Sequence, residues 1–140
     1  MNVIVMGSGR VGARVASILD QHGHRVCVVD TNPDSLRRLG ERYRGDTLIG
    51  TGIDADVLRR AGIEDADVFI AVTNGDNRNI MAAQVARTVF DVKHVIVRIY
   101  DPVREDTYRR LGLRTICPTT TMSALIIDQI NDILPDDEEI

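Results

Sequence analysis

The first thirty residues constrain the fold more than any other part of the chain. An apolar run, Asn2-Val3-Ile4-Val5-Met6, meets Gly7-Ser8-Gly9-Arg10-Val11-Gly12 and passes into Ala13-Arg14-Val15-Ala16-Ser17-Ile18-Leu19; a second apolar run, Arg25 to Val29, ends on Asp30. Strand, glycine turn, helix, strand and terminal acid is the context in which a G-x-G-x-x-G pattern reads as a nucleotide-binding turn and not as an ordinary tight corner. The first glycine permits the turn, the second lets backbone approach a pyrophosphate, and the third lets the helix sit close on the sheet. The phosphate is expected at the helix N-terminus, where unpaired amides and the helix dipole hold an anion without any catalytic side chain. Gly7, Ser8, Gly9, Arg10, Val11 and Gly12 are therefore candidate contacts. Asp30 lies about twenty residues beyond the glycines, where a carboxylate can accept hydrogen bonds from both ribose hydroxyls. A 2′-phosphate would face its charge, so NADP is disfavoured. Arg10 either reaches a terminal phosphate or is a solvated first-turn residue.

A chain of 140 residues suffices for one domain with a full core. Its net charge of −4 argues against nucleic acid as a partner, because affinity for the phosphate backbone comes from clustered Lys and Arg. No apolar run is long enough to span a bilayer and no charged-then-apolar leader opens the chain, so a cytoplasmic protein is expected. Cys27 and Cys117 lie in apolar runs and read as buried reduced thiols, not as a disulfide or a metal pair. His22, His24 and His94 have no neighbouring acid, Ser or Cys and read as surface residues.

After Asp30, Thr31-Asn32-Pro33-Asp34 is a turn with helix-start chemistry, and Ser35 to Tyr43 reads as a short helix. Thr31 and Asn32 are close enough to Asp30 to touch adenosine. Arg37, Arg38, Arg42 and Arg44 form a basic patch that reads as a solvated face. Thr47-Leu48-Ile49 is a third strand ending in Gly50-Thr51-Gly52, which either brings backbone close to a flat adenine or is a flexible corner. Asp54 caps a helix from Ala55 to Ala61, closed by Gly62. Asp67 to Val72, apolar throughout, is a fourth strand buried on both faces. It runs into Thr73-Asn74-Gly75-Asp76-Asn77, and a helix follows from Arg78 to Phe90. In a doubly wound sheet that loop borders the crevice where strand order reverses, so Thr73 and Asn74 can reach a ligand; Asn77 serves equally well as a cap. Strand five, His94 to Arg98, ends on a cation that needs a polar cleft or an anion, either ligand phosphates or Asp101. A helix from Asp101 to Leu111 and a sixth strand, Arg114 to Cys117, complete a Rossmann-like, mainly parallel six-stranded α/β sheet. The final helix, Thr120 to Leu134, carries Met122, Leu125, Ile126, Ile127, Ile130, Ile133 and Leu134. That apolar face is too wide for one packing seam, and part of it is expected to bury against another subunit. Residues 135–140 read as an acidic disordered tail.

The glycine motif from Val3 to Gly12, Asp30, Gly50-Thr51-Gly52 with Leu58-Arg59-Arg60-Ala61-Gly62-Ile63, Ala66-Asp67 leading to Ala71-Val72-Thr73, Asp76-Asn77-Arg78-Asn79 and Val95-Ile96-Val97-Arg98 together resemble the regulator-of-conductance-of-potassium (RCK) domain, also called the TrkA N-terminal domain. The resemblance covers residues 1–134. It implies a cytoplasmic regulatory subunit, peripheral to the inner face of the membrane, that binds NAD(H) or ATP/ADP and shifts a membrane-embedded potassium transporter between states. It also implies a homodimer or ring with an interface including Met122, Leu125, Ile126 and Ile130, and a second RCK chain as a further partner. Gly7 to Val11, Asp30, Thr51, Gly52, Thr73, Asn74 and Arg98 match the family's nucleotide contacts, and Arg10 matches a phosphate-touching position. Thr51 and Thr119 stand where many members have acids, so no cation site is expected. The family's C-terminal ligand-binding domain is not among these residues. The competing reading is a small NAD-dependent oxidoreductase, weakened because no His or Lys is placed at the crevice and no substrate domain accompanies the sheet.

Overall fold

The computed structural model describes residues 1–140. Six parallel strands run β1 Asn2–Met6, β2 Arg25–Asp30, β3 Asp46–Ile49, β4 Val68–Ala71, β5 His94–Arg98 and β6 Arg114–Ile116. Their order is β3-β2-β1-β4-β5-β6, so the chain winds outward from β1 in one direction and from β4 in the other. The order reverses between β1 and β4, which pair directly in the register Val3 with Val68 to Met6 with Ala71. A crevice at the carboxyl ends of these two strands follows from the topology, because the loops leaving them diverge to opposite faces.

Every parallel connection must cross a face of the sheet, so β1 is apolar on both sides. Ile4 and Met6 join one core with Phe69, Leu58, Ile80 and Val97. Val3 and Val5 join the opposite core with Ala13, Ala16, Val28 and Leu39. Helices α2 (Ala55–Arg60), α3 (Asp76–Gln84) and α4 (Pro102–Arg110) follow β3, β4 and β5, while α1 (Arg10–Gln21) follows β1. Residues of α2 and α3 supply the first core, whereas Ala13 and Ala16 of α1 belong to the second.

Three elements differ from the sequence reading. The segment expected as a helix from Ser35 to Tyr43 is only a 3-10 turn, Ser35–Leu39, stopped at Gly40 with φ +79°. Tyr43 is instead drawn under the sheet edge, its hydroxyl donating to the Val26 and Asp46 carbonyls at 3.0 and 2.9 Å. The helix expected from Arg78 to Phe90 starts two residues earlier and widens into a π-turn over Val85–Val89. There the Phe90 amide reaches the Val85 carbonyl, and the Thr88 hydroxyl takes the Gln84 carbonyl at 2.5 Å, a back-bond that competes with the regular ladder. The last helix, α5 (Pro118–Asn131), begins and ends earlier than the expected Thr120 to Leu134 and has no buried residue. Beyond it Asp136–Glu138 forms a 3-10 turn, and the side chain of Asn131 exchanges bonds with the backbone of Ile140.

Candidate functional site

The crevice at the switch point is a cleft of about 560 Å³, within the range of small-ligand sites. Its floor comes from strand ends: Met6 of β1 and Gly7 after it, Val29-Asp30 of β2, Gly50 after β3, Val72-Thr73-Asn74 after β4, Arg98 of β5 and Tyr100 beyond it. Of the residues expected to bind, Gly7, Gly9, Arg10, Val11, Asp30, Thr31, Asn32, Thr51, Gly52, Thr73, Asn74 and Arg98 line it together.

Ser8 and Gly12 do not line it, and the correction has a physical basis. Gly7 turns with φ +106°, a conformation L side chains avoid, and brings the chain against Val72 and Thr73. This buries Ser8 completely. Its amide and hydroxyl both donate to Asp30 Oδ2, at 2.8 and 2.9 Å. Ser8 therefore holds the acid against the glycine turn. A Cβ on Gly12 would collide with the Gly7 carbonyl oxygen, so that glycine serves the contact between α1 and the turn. Gly9 is the opposite case. Its backbone is extended (φ −66°, ψ −172°) and a Cβ there would meet nothing within 4 Å. Among the three motif glycines, Gly9 is the one whose missing side chain leaves space on the cleft side. It is also the N-cap of α1, so the first free amides of a twelve-residue helix face the same opening.

Asp30 is more occupied than its motif position suggests. Besides the Ser8 donors, Oδ1 accepts the Asn32 amide at 2.8 Å. Its place as the residue that ties β2 to the turn after β1 is therefore set by three bonds made within the chain.

Gly50 and Gly52 also serve packing. A Cβ on Gly52 would enter the Met6 sulfur, and one on Gly50 would stand 2.8 Å from the Val57 methyls. The glycines flanking Thr51 thus make room for Met6 and Val57, so the corner is packed and not flexible, and all three residues border the cleft.

Arg98 is 9% exposed and does not pair with Asp101, which caps α4 through the Val103 amide. Its Nη2 donates to the Val72 and Thr73 carbonyls at 2.8 and 3.0 Å, its guanidinium carbon lies 4.9 Å from the centre of the Tyr100 ring, and its buried Nε has no hydrogen-bond partner. Neutral carbonyls and a ring face hold this cation in place without cancelling its charge. Asn79, fully buried, orders the same wall. Its Oδ1 accepts from the Thr73 amide and hydroxyl at 2.9 and 2.6 Å, and its Nδ2 donates to the Thr73 and Arg98 carbonyls at 2.9 and 3.0 Å. Asn77 is not the helix cap. Gly75 is, while Asn77 accepts a bond from Arg104 and the Asp76 carboxylate takes the Tyr100 and Asp101 amides.

The sequence reading missed Ser35, Arg38, Ile53, Arg78 and Tyr100, all of which line the cleft. Arg38, which the sequence reading puts on a solvated basic face, instead lines the cleft from the 3-10 turn. With Arg10, Arg38, Arg78 and Arg98 on the walls against the single carboxylate of Asp30, the cleft carries a strong positive excess in a chain of net charge −4. An anion is the complementary ligand.

The sequence model of the TrkA-N domain matches residues 3–118. The chain belongs to the TrkA-N domain family. As a TrkA-N domain it is 52% identical over 116 residues to the Trk system potassium uptake protein TrkA of Streptomyces coelicolor, a match that takes in 83% of this chain and 52% of that protein. It spans about half the length of that relative. Among solved structures, the Kef CTD in AMP-bound form from Shewanella denitrificans superposes with a TM-score of 0.79 at 20% identity, covering 96% of this chain and 83% of that one. GsuK bound to ADP superposes at 0.72 and 20% identity, covering 89% and 32%. At such identities the structural matches speak for the fold.

Proposed function

We infer that this TrkA-N domain binds an adenine nucleotide in the glycine-turn cleft and acts as the cytoplasmic regulatory part of a potassium uptake system. The observation that carries the reading is the cleft itself: an open Gly9, the free amides of α1 and four guanidiniums converge where the sheet reverses. Phosphate would rest on Gly9, Arg10 and Val11, with Arg98 and Thr73 on the far wall. Asp30 would take a ribose hydroxyl, and Thr31, Asn32, Thr51 and Gly52 would border the adenosine. The name of the Streptomyces relative and the AMP and ADP in the two structural neighbours support this assignment. Asn74, Arg78 and Tyr100 also border an open depression with Asn77 and Arg104, the surface onto which the distal half of NAD(H) or the phosphates of ATP or ADP would extend.

The acid–base groups on the lining are Asp30, which three internal donors already hold, and Tyr100, whose ring packs against Arg98; that arrangement favours a ligand that is sensed over one that is turned over. No helix is long and apolar enough to cross a membrane. A transporter would then be reached through assembly, for which α5 has the right surface. Met122, Leu125, Ile126 and Ile130 are 59, 52, 52 and 37% exposed on a helix the domain leaves uncovered. A second copy of the chain, or a second RCK chain, is the occupant this reading assigns. Ligand would act by binding one arrangement of paired domains better than the other, a coupling of about 1–3 kcal/mol. The test is potassium uptake in cells whose own copy of the gene carries Gly9→Val. Uptake should lose its regulated response while the protein remains at its normal level; an unchanged response contradicts the reading. Steady oxidation of NADH with a panel of carbonyl substrates would instead establish the oxidoreductase alternative.

A further inference from the structure

The corner of the cleft beside Asp30 offers more than an unmodified ribose needs. A carboxylate has about four lone-pair positions. In Asp30 the Ser8 amide, the Ser8 hydroxyl and the Asn32 amide occupy three of them. One position remains, which serves one ribose hydroxyl and not two. The second hydroxyl position must find its partner elsewhere on that edge.

The Ser35–Leu39 turn stands there. In a 3-10 turn, side chains three residues apart eclipse one another, so Ser35 and Arg38 share a face, and both line the cleft with Thr31 and Asn32. Arg37 leaves that face and pairs with Asp34 at 3.6 Å. Arg38 pairs with no carboxylate. Its bond to the protein is a long one, Nη1 to the Ser8 carbonyl oxygen at 3.4 Å. A guanidinium with its charge unspent, on the same turn face as the Ser35 hydroxyl and bonded to the residue that grips Asp30, has the chemistry of a phosphomonoester site.

We propose that Ser35 and Arg38 form a phosphate subsite beside Asp30, through which the cleft accepts a 2′-phosphorylated adenine nucleotide of the NADP(H) class. An arginine near the acid is the general means by which a cleft of this architecture takes a 2′-phosphate. The repulsion that Asp30 alone would exert is reduced by its three internal donors and opposed by Arg38 at the same edge. The inference rests on the adenine-nucleotide reading of the cleft and changes which nucleotides it admits.

Calorimetric titration of the full chain with AMP and with adenosine 2′,5′-bisphosphate isolates the 2′-phosphate, since the two differ in nothing else. The wild-type protein should bind the bisphosphate at least as tightly as AMP. In Arg38→Ala the loss for the bisphosphate should exceed the loss for AMP by about tenfold, the scale of one charge-assisted contact. Ser35→Ala should shift the same ratio in the same direction by a smaller factor. A bisphosphate bound more than about tenfold more weakly than AMP by the wild type overturns the proposal. Equal losses for both ligands in Arg38→Ala overturn it too, by placing Arg38 on the 5′-phosphate. Either result leaves the nucleotide reading standing if AMP binds; failure of AMP, ADP and NADH alike removes both.

Discussion

At the scale of single residues, chemically similar positions do different work. Gly9 and Gly12 are both motif glycines, yet a side chain at Gly9 meets open space and one at Gly12 meets the Gly7 carbonyl. Gly9→Ala should keep the stability of the domain within about 0.5 kcal/mol. Gly12→Ala should cost about 1–3 kcal/mol through overpacking at the start of α1. Urea unfolding of the two variants checks the contrast, and equal stabilities would show that the turn is more plastic than drawn. The motif positions were legible because strand, glycines and acid follow one another closely. The grip of Ser8 on Asp30 was not, since it joins residues 22 apart and no local pattern encodes it. Nor was the four-way bonding of Asn79, a residue that in sequence looks like one polar helix position among several.

At the scale of elements, β1, β2, β4 and β5 were readable because continuous apolar runs admit little except a strand buried on both faces. The 3-10 turn after β2 was not, and the mistake mattered. Arg38, read as part of a solvated helix face, lines the cleft from that turn. What overrode the helical pattern is tertiary: Gly40 at positive φ, and Tyr43 pulled to the Val26 and Asp46 carbonyls. For α5 the sequence pattern and the exposure agree that Leu125 and Ile126 need cover. Replacing Leu125 with Asp should turn an assembled species into a monomer in light scattering at micromolar concentration, with helix content retained. A wild-type protein already monomeric there would contradict the assembly reading.

At the scale of the whole molecule, burial governs the titration of Cys27. Removal from water, with the charge of Asp46 adding to it, raises its thiol from 9.0 to about 11. Folding thus favours the protonated thiol. Its stabilising contribution is fully present below pH 9 and is lost as pH rises through about 11, so stability should decline across that window. Burial and desolvation raise Tyr43 in the same direction. Thermal unfolding followed from pH 8 to 11 reads this decline, and Cys27→Ser should flatten part of it. At neutral pH both buried thiols should react with a thiol reagent at the rate of opening, not at the rate of a free cysteine.

The account turns on one claim, that the cleft at the reversal of strand order holds an adenine nucleotide by its phosphates. Calorimetric titration of the wild-type chain and of Gly9→Val with NADH, NAD, ATP, ADP and AMP tests it most directly. A Cβ at this position meets nothing within 4 Å, so the variant fills the approach to α1 from open space. The account predicts saturable binding of at least one of these nucleotides to the wild type and a loss of about tenfold or more in an equally stable Gly9→Val. Absence of binding to the wild type, or equal affinity in the two proteins, would contradict it.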